Sequence, residues 1–139
     1  NIGFKYHGNS IMAAMGIVQL KYLDEDNDVR NKIAEGYKKE LKNIQCIKPD
    51  LYVKKCSYHL FQIRVPAMQR EKILDTLYKK DIYPGVHYID NTTYPMYNEY
   101  YGKCPNAHKA SNELITLPIH LGITQEDIKR ISNIINKIL

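Results

Sequence analysis

Five histidines are the first residues to weigh for chemistry. None falls in an H-x-x-H or H-E-x-x-H arrangement, the spacing that puts two imidazoles on one helix face, so no metal site is indicated. Cys46, Cys56 and Cys104 are odd in number and far apart, with no C-x-x-C pair. Neither a zinc site nor a disulfide framework follows, and free thiols in a reducing, cytoplasmic compartment are the simplest account. No Gly-x-Ser-x-Gly elbow, Walker loop or dinucleotide fingerprint occurs. Alternation along Ser57–Val65 puts His59 with Phe61, Ile63 and Val65, where it reads as a core histidine with satisfied nitrogens. Arg64 falls on the opposite face with Tyr58, Leu60 and Gln62, where a surface ion pair is expected. Taken singly, these residues define no more than an α+β domain.

The elements that must position them follow from hydrophobic spacing. Asn9 or Ser10 can cap a helix with Ile11, Met15, Val18 and Tyr22 at helical intervals, kept slim by Ala13, Ala14 and Gly16. The acidic stretch Asp24–Asp28 predicts a break or polar turn, and charge density predicts local disorder around Asp24–Asn31 and near the chain ends. Val29, Ile33, Tyr37 and Leu41 then continue a helical period, as one bent helix or two consecutive ones. Ile44–Ile47 and Leu51–Val53 read as short strands around the turn pair Pro49-Asp50, and Ser57–Val65 as the main strand, ended by Pro66. Arg70–Lys80 is a predicted helix with Ile73, Leu74, Leu77 and Tyr78 inward. Pro84–Ile89 is a predicted short strand with Gly85, His87 and Ile89 on one face, and Tyr94–Gly102 a short helix. Ala107–Glu113 reads as helix and Leu114–Ile119 as strand. Thr124 with Asp127 suggests a capping box opening a last helix, whose stripe is Ile128, Ile131, Ile134, Ile135 and Ile138. The expected architecture is α+β: a long N-terminal helix leading to a small, mostly antiparallel sheet covered by helices. Residues 1–43 form the helical segment and 44–139 the small domain.

Composition limits the function classes. The chain of 139 residues carries 20 Lys+Arg against 15 Asp+Glu, a formal charge of +5. The basic residues are scattered and no nucleic-acid-binding motif appears, so solvated surface lysines account for the excess. An anionic small ligand is compatible with that charge. No apolar run reaches membrane-spanning length. Twelve tyrosines against two phenylalanines and no tryptophan suit half-buried surfaces, domain contacts and ligand clefts, and a biased codon usage would also produce them. Asn1 is not an initiator methionine, so the chain reads as a piece of a longer polypeptide.

The order of segments carries more than any single residue. Gly3-Phe4-Lys5-Tyr6-His7, followed by Ile11-Met12-Ala13-Ala14-Met15-Gly16 and Gln19-Leu20, resembles a stretch of the DegT/StrS-type sugar aminotransferases. The usual pattern there is Gly-Tyr-Asn-Tyr-Arg, a polar cap, then Ile-Gln-Ala-Ala-Ile-Gly and Gln-Leu. Three later blocks fall in the same order: His59 to Val65, Gly85-Val86-His87-Tyr88, and Leu117-Pro118-Ile119-His120 before a Thr-initiated helix.

This resemblance implies the C-terminal domain of the aspartate-aminotransferase fold in a homodimeric enzyme that uses pyridoxal 5'-phosphate. The substrates implied are a nucleotide-linked keto-sugar and glutamate as amino donor. The lysine that carries the cofactor would lie upstream of residue 1, so this chain alone is expected to be inactive. In the family the Asn of the first motif reaches the cofactor phosphate of the neighbouring subunit. Its position here is Lys5, which can meet phosphate as a point charge. The motif's Arg is His7, placed by the resemblance on the substrate side and only partly charged near neutrality. His87 and Tyr88 match the block lining the sugar-nucleotide side, where both can hydrogen-bond a hydroxyl or diphosphate oxygen. His59 and Arg64 are secondary candidates. A non-catalytic sugar-nucleotide-binding module of the same fold, or an inactive truncated product, would share these blocks.

Overall fold

The computed structural model describes residues 8–42, 44–46 and 56–139. Helix α1, Ser10–Leu20, begins at Asn9, which has an extended backbone and whose side-chain oxygen accepts the Met12 N–H at 2.9 Å. This is N-capping, in which a short polar side chain satisfies a first-turn amide. Lys21 and Tyr22 form a turn, and α2 runs from Leu23 to Glu40. The lead-in is thus two consecutive helices.

The break precedes the acidic stretch instead of falling within it. Asp24, Glu25 and Asp26 occupy the first turn of α2, and Lys38 and Lys39 its last. Carboxylates near a helix N-terminus and ammonium groups near its C-terminus both complement the helix dipole. The expectation of a break at Asp24–Asp28 and disorder to Asn31 is therefore corrected: these charges favour the helix.

Strands β1 (Gln45–Cys46), β2 (Phe61–Arg64) and β3 (Leu114–Leu117) form an antiparallel sheet in that order. In β2 and β3, Phe61 pairs with Leu117, Gln62 with Thr116 and Ile63 with Ile115. Because side chains alternate across a strand, Phe61, Ile63, Ile115 and Leu117 share one face. All four are buried in the core with Ile33, Ala34 and Tyr37 of α2. The Tyr37 and Phe61 rings stack at 5.0 Å. The Tyr37 hydroxyl donates to the Pro118 carbonyl at 3.0 Å. Burial, reinforced by the Asp127 carboxylate, raises its pKa well above the ordinary phenol value.

Helix α3, Ala67–Tyr78, starts directly after Pro66 and buries Ile73, Leu74 and Leu77. Tyr78 was expected inward but is half exposed; its hydroxyl donates to the Pro84 carbonyl at 3.0 Å and its ring meets Tyr83 edge-on. The short helix expected from Tyr94 to Gly102 is present as a 3-10 helix, Pro95–Tyr100, preceded by another at Asn91–Thr93. Helix α4, Pro105–Glu113, leads into β3. Helix α5, Gln125–Asn136, opens with the capping box: Thr124 and Asp127 each bond the other's backbone N–H. Ile128, Ile131 and Ile135 are buried, with Ile134 and Ile138 packed beside them. At Gly36 a Cβ would lie 2.9 Å from Ile128 Cδ1, so the absent side chain lets α2 approach α5.

Two strand expectations change. Tyr58 has φ +43°, which interrupts alternation before β2. Tyr58 is therefore buried and His59 exposed, reversing the expected core histidine. Lys38 Nζ donates to the Tyr58 hydroxyl at 2.8 Å. Burial would lower the Lys38 pKa, but bonds to Glu35 and Tyr58 outweigh it and raise the value. Pro84–Ile89 is not a full strand; it contributes a single antiparallel bridge, Gly85 to Thr116. The proposed strand Leu51–Val53 lies outside the described residues.

Truncation of the fully buried Phe61 to alanine should destabilise the fold by ~3–5 kcal/mol. Thr124→Ala should cost ~1 kcal/mol through the lost cap. Denaturant titration of both variants against the parent measures the difference. Thr124, by its N–H and then its hydroxyl, holds the Asp127 carboxylate below its ordinary pKa. That contribution is complete above the unfolded-state value near ~3.9 and is lost as pH falls through the folded value.

Candidate functional site

The second face of the sheet is mostly polar where the first is apolar. It carries Gln62, Arg64, Leu114 and Thr116, and Gly85 bridges its β3 edge at Thr116. The Gly85 and Thr116 N–H groups each donate to the other's carbonyl, at 2.9 and 2.8 Å. This bridge carries the following residues back over the cross-strand pair Gln62–Thr116.

His87 is held there at several points. Its Nδ1 lies 3.1 Å from Thr116 Oγ1, and its carbonyl accepts from the Gln62 side-chain amide. A Cβ on Gly85 would sit 2.5 Å from His87 Cε1, so glycine is what admits the ring. Tyr88 follows across a cis peptide, 67% exposed, its ring edge-on to the imidazole at 5.1 Å. The structure thus brings the expected pair together, a half-buried imidazole beside a solvent-facing phenol.

Next to them opens a cleft of about 570 Å³, walled by Val86, Tyr88, Asp90, Thr92, Tyr94 and Cys104, among others. Clefts of this size hold small ligands, with aromatic walls for contact and few polar groups for orientation. Asp90, 6% exposed, organises one side. Its Oδ1 accepts the Thr92 N–H and hydroxyl, each at 2.9 Å, and its Oδ2 lies 3.2 Å from His108 Nδ1 on α4. The Thr92 N–H, followed by the Thr92 hydroxyl and His108, holds this carboxyl below its ordinary pKa against burial acting the other way. Asp90 was not singled out from the sequence, although Asp-x-Thr is a local turn signal that could have found it. Its partner His108 and the grip of Gln62 and Thr116 on His87 depend on tertiary packing and strand pairing and leave no local signal.

The other candidates fall elsewhere. Arg64 donates through Nε to Glu113 Oε2 at 2.9 Å, the ion pair expected of it. His59 lines a separate groove of about 450 Å³ with Leu23, Arg30 and His120. Lys5 and His7 lie outside the described residues. Among the described residues, no group of His, Cys, Asp and Glu could hold a metal ion, and no helix is long and apolar enough to cross a membrane. Cys56 and Cys104 are free thiols.

This architecture is that of part of the pyridoxal-phosphate-type sugar aminotransferases. TlmJ, an aminotransferase from Streptoalloteichus hindustanus, matches with TM-score 0.84 and 25% identity over 94% of this chain and 36% of its own. PseC from Helicobacter pylori, an aminotransferase involved in the biosynthesis of pseudoaminic acid, matches with TM-score 0.81 and 26% identity over 99% and 39%. Spr1654 from Streptococcus pneumoniae, described as a sugar aminotransferase and solved in a PMP form, gives TM-score 0.80 and 26% identity over 92% and 34%. An uncharacterized protein of Methanocaldococcus jannaschii is 29% identical over 99% of this chain and 38% of its own length. Residues 1–136 match the DegT/DnrJ/EryC1/StrS aminotransferase family, and the chain belongs to that family. It spans 34% to 39% of the length of these relatives.

Replacing Asp90 with alanine should release the turn over Asn91–Thr93. Amide hydrogen exchange at Thr92, whose N–H Asp90 accepts, should speed at least tenfold while the β2 and β3 amides keep their protection. Acid should weaken the clamp only below ~3.9, because the folded carboxyl titrates beneath its unfolded value.

Proposed function

We propose that this chain is the C-terminal part of a homodimeric, cytoplasmic aminotransferase. It transfers an amino group from glutamate to a nucleotide-linked keto-sugar, supplying precursors of polysaccharide or glycan synthesis. The observation that carries the reading is family membership across residues 1–136, joined to a small-ligand cleft lined by Tyr88, with His87 packed against that tyrosine.

Pyridoxal phosphate, when bound, supplies the electron sink for proton removal from the amino donor. The cofactor's lysine is assigned to the part of the relatives that this chain does not span. Toward a phosphorylated ligand the donor set here is chemically suitable: the Lys5 ammonium, the His87 imidazole and the Tyr88 phenol. Lys5 contributes a point charge to the cofactor phosphate. His87, Tyr88 and His7 orient the sugar nucleotide by hydrogen bonds to hydroxyl or diphosphate oxygens.

The proposed division into a helical segment, 1–43, and a small domain, 44–139, is cut across by an asymmetry between the two lead-in helices, which favours a boundary after α1. Helix α2 contributes to the core, whereas α1 buries no residue and exposes Ile11, Met12, Met15, Ile17 and Leu20 at 57% or more. A helix apolar around its circumference belongs against other protein. The large domain or the dimer partner is the proposed cover.

Full-length protein should carry the visible absorbance of bound pyridoxal phosphate and lose it on addition of glutamate; failure to bind the cofactor would remove the enzyme reading. Lys5→Ala should weaken cofactor retention by tenfold or more in dialysis, and unchanged affinity would leave Lys5 without this role. The 139-residue chain alone should show no amino transfer.

A further inference from the structure

We infer that Thr116 sets the tautomer of His87, so that the imidazole presents Nε2–H as a hydrogen-bond donor to an anionic oxygen. Its use in recognition rests on the functional reading above; the tautomer itself is a property of the fold.

The argument begins with the hydroxyl. Thr116 is 5% exposed, and its backbone N–H and carbonyl are both occupied by Gly85. Among the described residues, the acceptor within reach of its hydroxyl proton is His87 Nδ1, 3.1 Å away. Two arrangements are open to that pair. If Nδ1 carried the proton and donated, the threonine hydroxyl hydrogen would stay buried without an acceptor. If the hydroxyl donates, Nδ1 is the bare nitrogen and every buried hydrogen of the pair is bonded. Buried donors left unpaired are rarer and more costly than unfilled oxygen lone pairs, so the second arrangement prevails.

The neutral ring then carries its one proton on Nε2. No residue among those described bonds Nε2, and His87 is half-buried, so this donor remains for solvent or a ligand. The cross-strand partner Gln62 fixes the His87 carbonyl, and Gly85 leaves room for the ring, so the direction is set as well as the sense. A donor of fixed direction selects an acceptor, such as a phosphate, carboxylate or hydroxyl oxygen, without requiring a charged imidazole. Thr116 is in this sense a positioning residue, acting through His87.

The test is long-range proton–nitrogen NMR of full-length protein with labelled histidine, at a pH about 1.5 units above the ordinary imidazole pKa of ~6.5. His87→Gln identifies the resonances by their loss. The expected spectrum has an unprotonated Nδ1 and a protonated Nε2. Thr116→Val, nearly the same shape, should shift both nitrogens toward the averaged values of exchanging tautomers, and Thr116→Ser should restore the parent pattern. Unchanged thermal midpoints establish that the variants fold. A protonated Nδ1 in the parent, or a Thr116→Val spectrum identical to it, overturns the inference. The expected tautomer in a protein that binds no pyridoxal phosphate would instead sink the enzyme reading and leave this one standing.

Discussion

The pairing of β2 with β3 is the constraint on which the rest depends. Phe61 opposite Leu117 and Ile63 opposite Ile115 turn four large apolar side chains toward α2, α3 and α5. The same register necessarily puts Gln62 opposite Thr116 on the reverse face. A slip of one residue would turn the apolar set to the outside and separate the polar pair. The core and the candidate site are therefore two sides of one alignment, and burying the first specifies the second.

From that alignment the site follows in short steps. The free edge of β3 accepts a single bridge from Gly85, which returns the chain over Gln62 and Thr116. His87 is gripped where it crosses them, and Tyr88 faces solvent beside it. Asp90 ties the next turn to α4, so the cleft has walls from two separate segments. Its small size and aromatic lining suit a ligand with both ring and oxygen-rich parts. The two lead-in helices divide the remaining labour. Helix α2 is anchored in the core and α1 is left with apolar side chains in solvent, an arrangement consistent with a chain spanning little more than a third of its relatives.

Local signals were legible wherever their physics was local. Asn9 capping α1, the Thr124–Asp127 box and the isoleucine stripe of α5 follow from spacing, and all three are present. The failures have identifiable causes. Asp24–Asp28 looked like a break because charge density suggests solvent, yet at a helix start it opposes the dipole favourably. His59 looked buried because alternation was extended through Tyr58, whose positive φ interrupts it. Tyr78 continued an inward stripe by count, but its hydroxyl found the Pro84 carbonyl at the edge of the core.

The sequence by itself determined the α+β class, most of the helices, the core stripe of α5 and, through four ordered blocks, the aminotransferase family to which the chain belongs. It also singled out His87 and Tyr88. Only the tertiary structure decided what those residues touch, because Thr116 and Gln62 lie 29 and 25 positions from His87 and meet it through strand pairing. Spacing along a chain reports which face of one element a side chain takes. Which other element covers that face is decided by where the buried area is greatest, and that is a property of the whole fold.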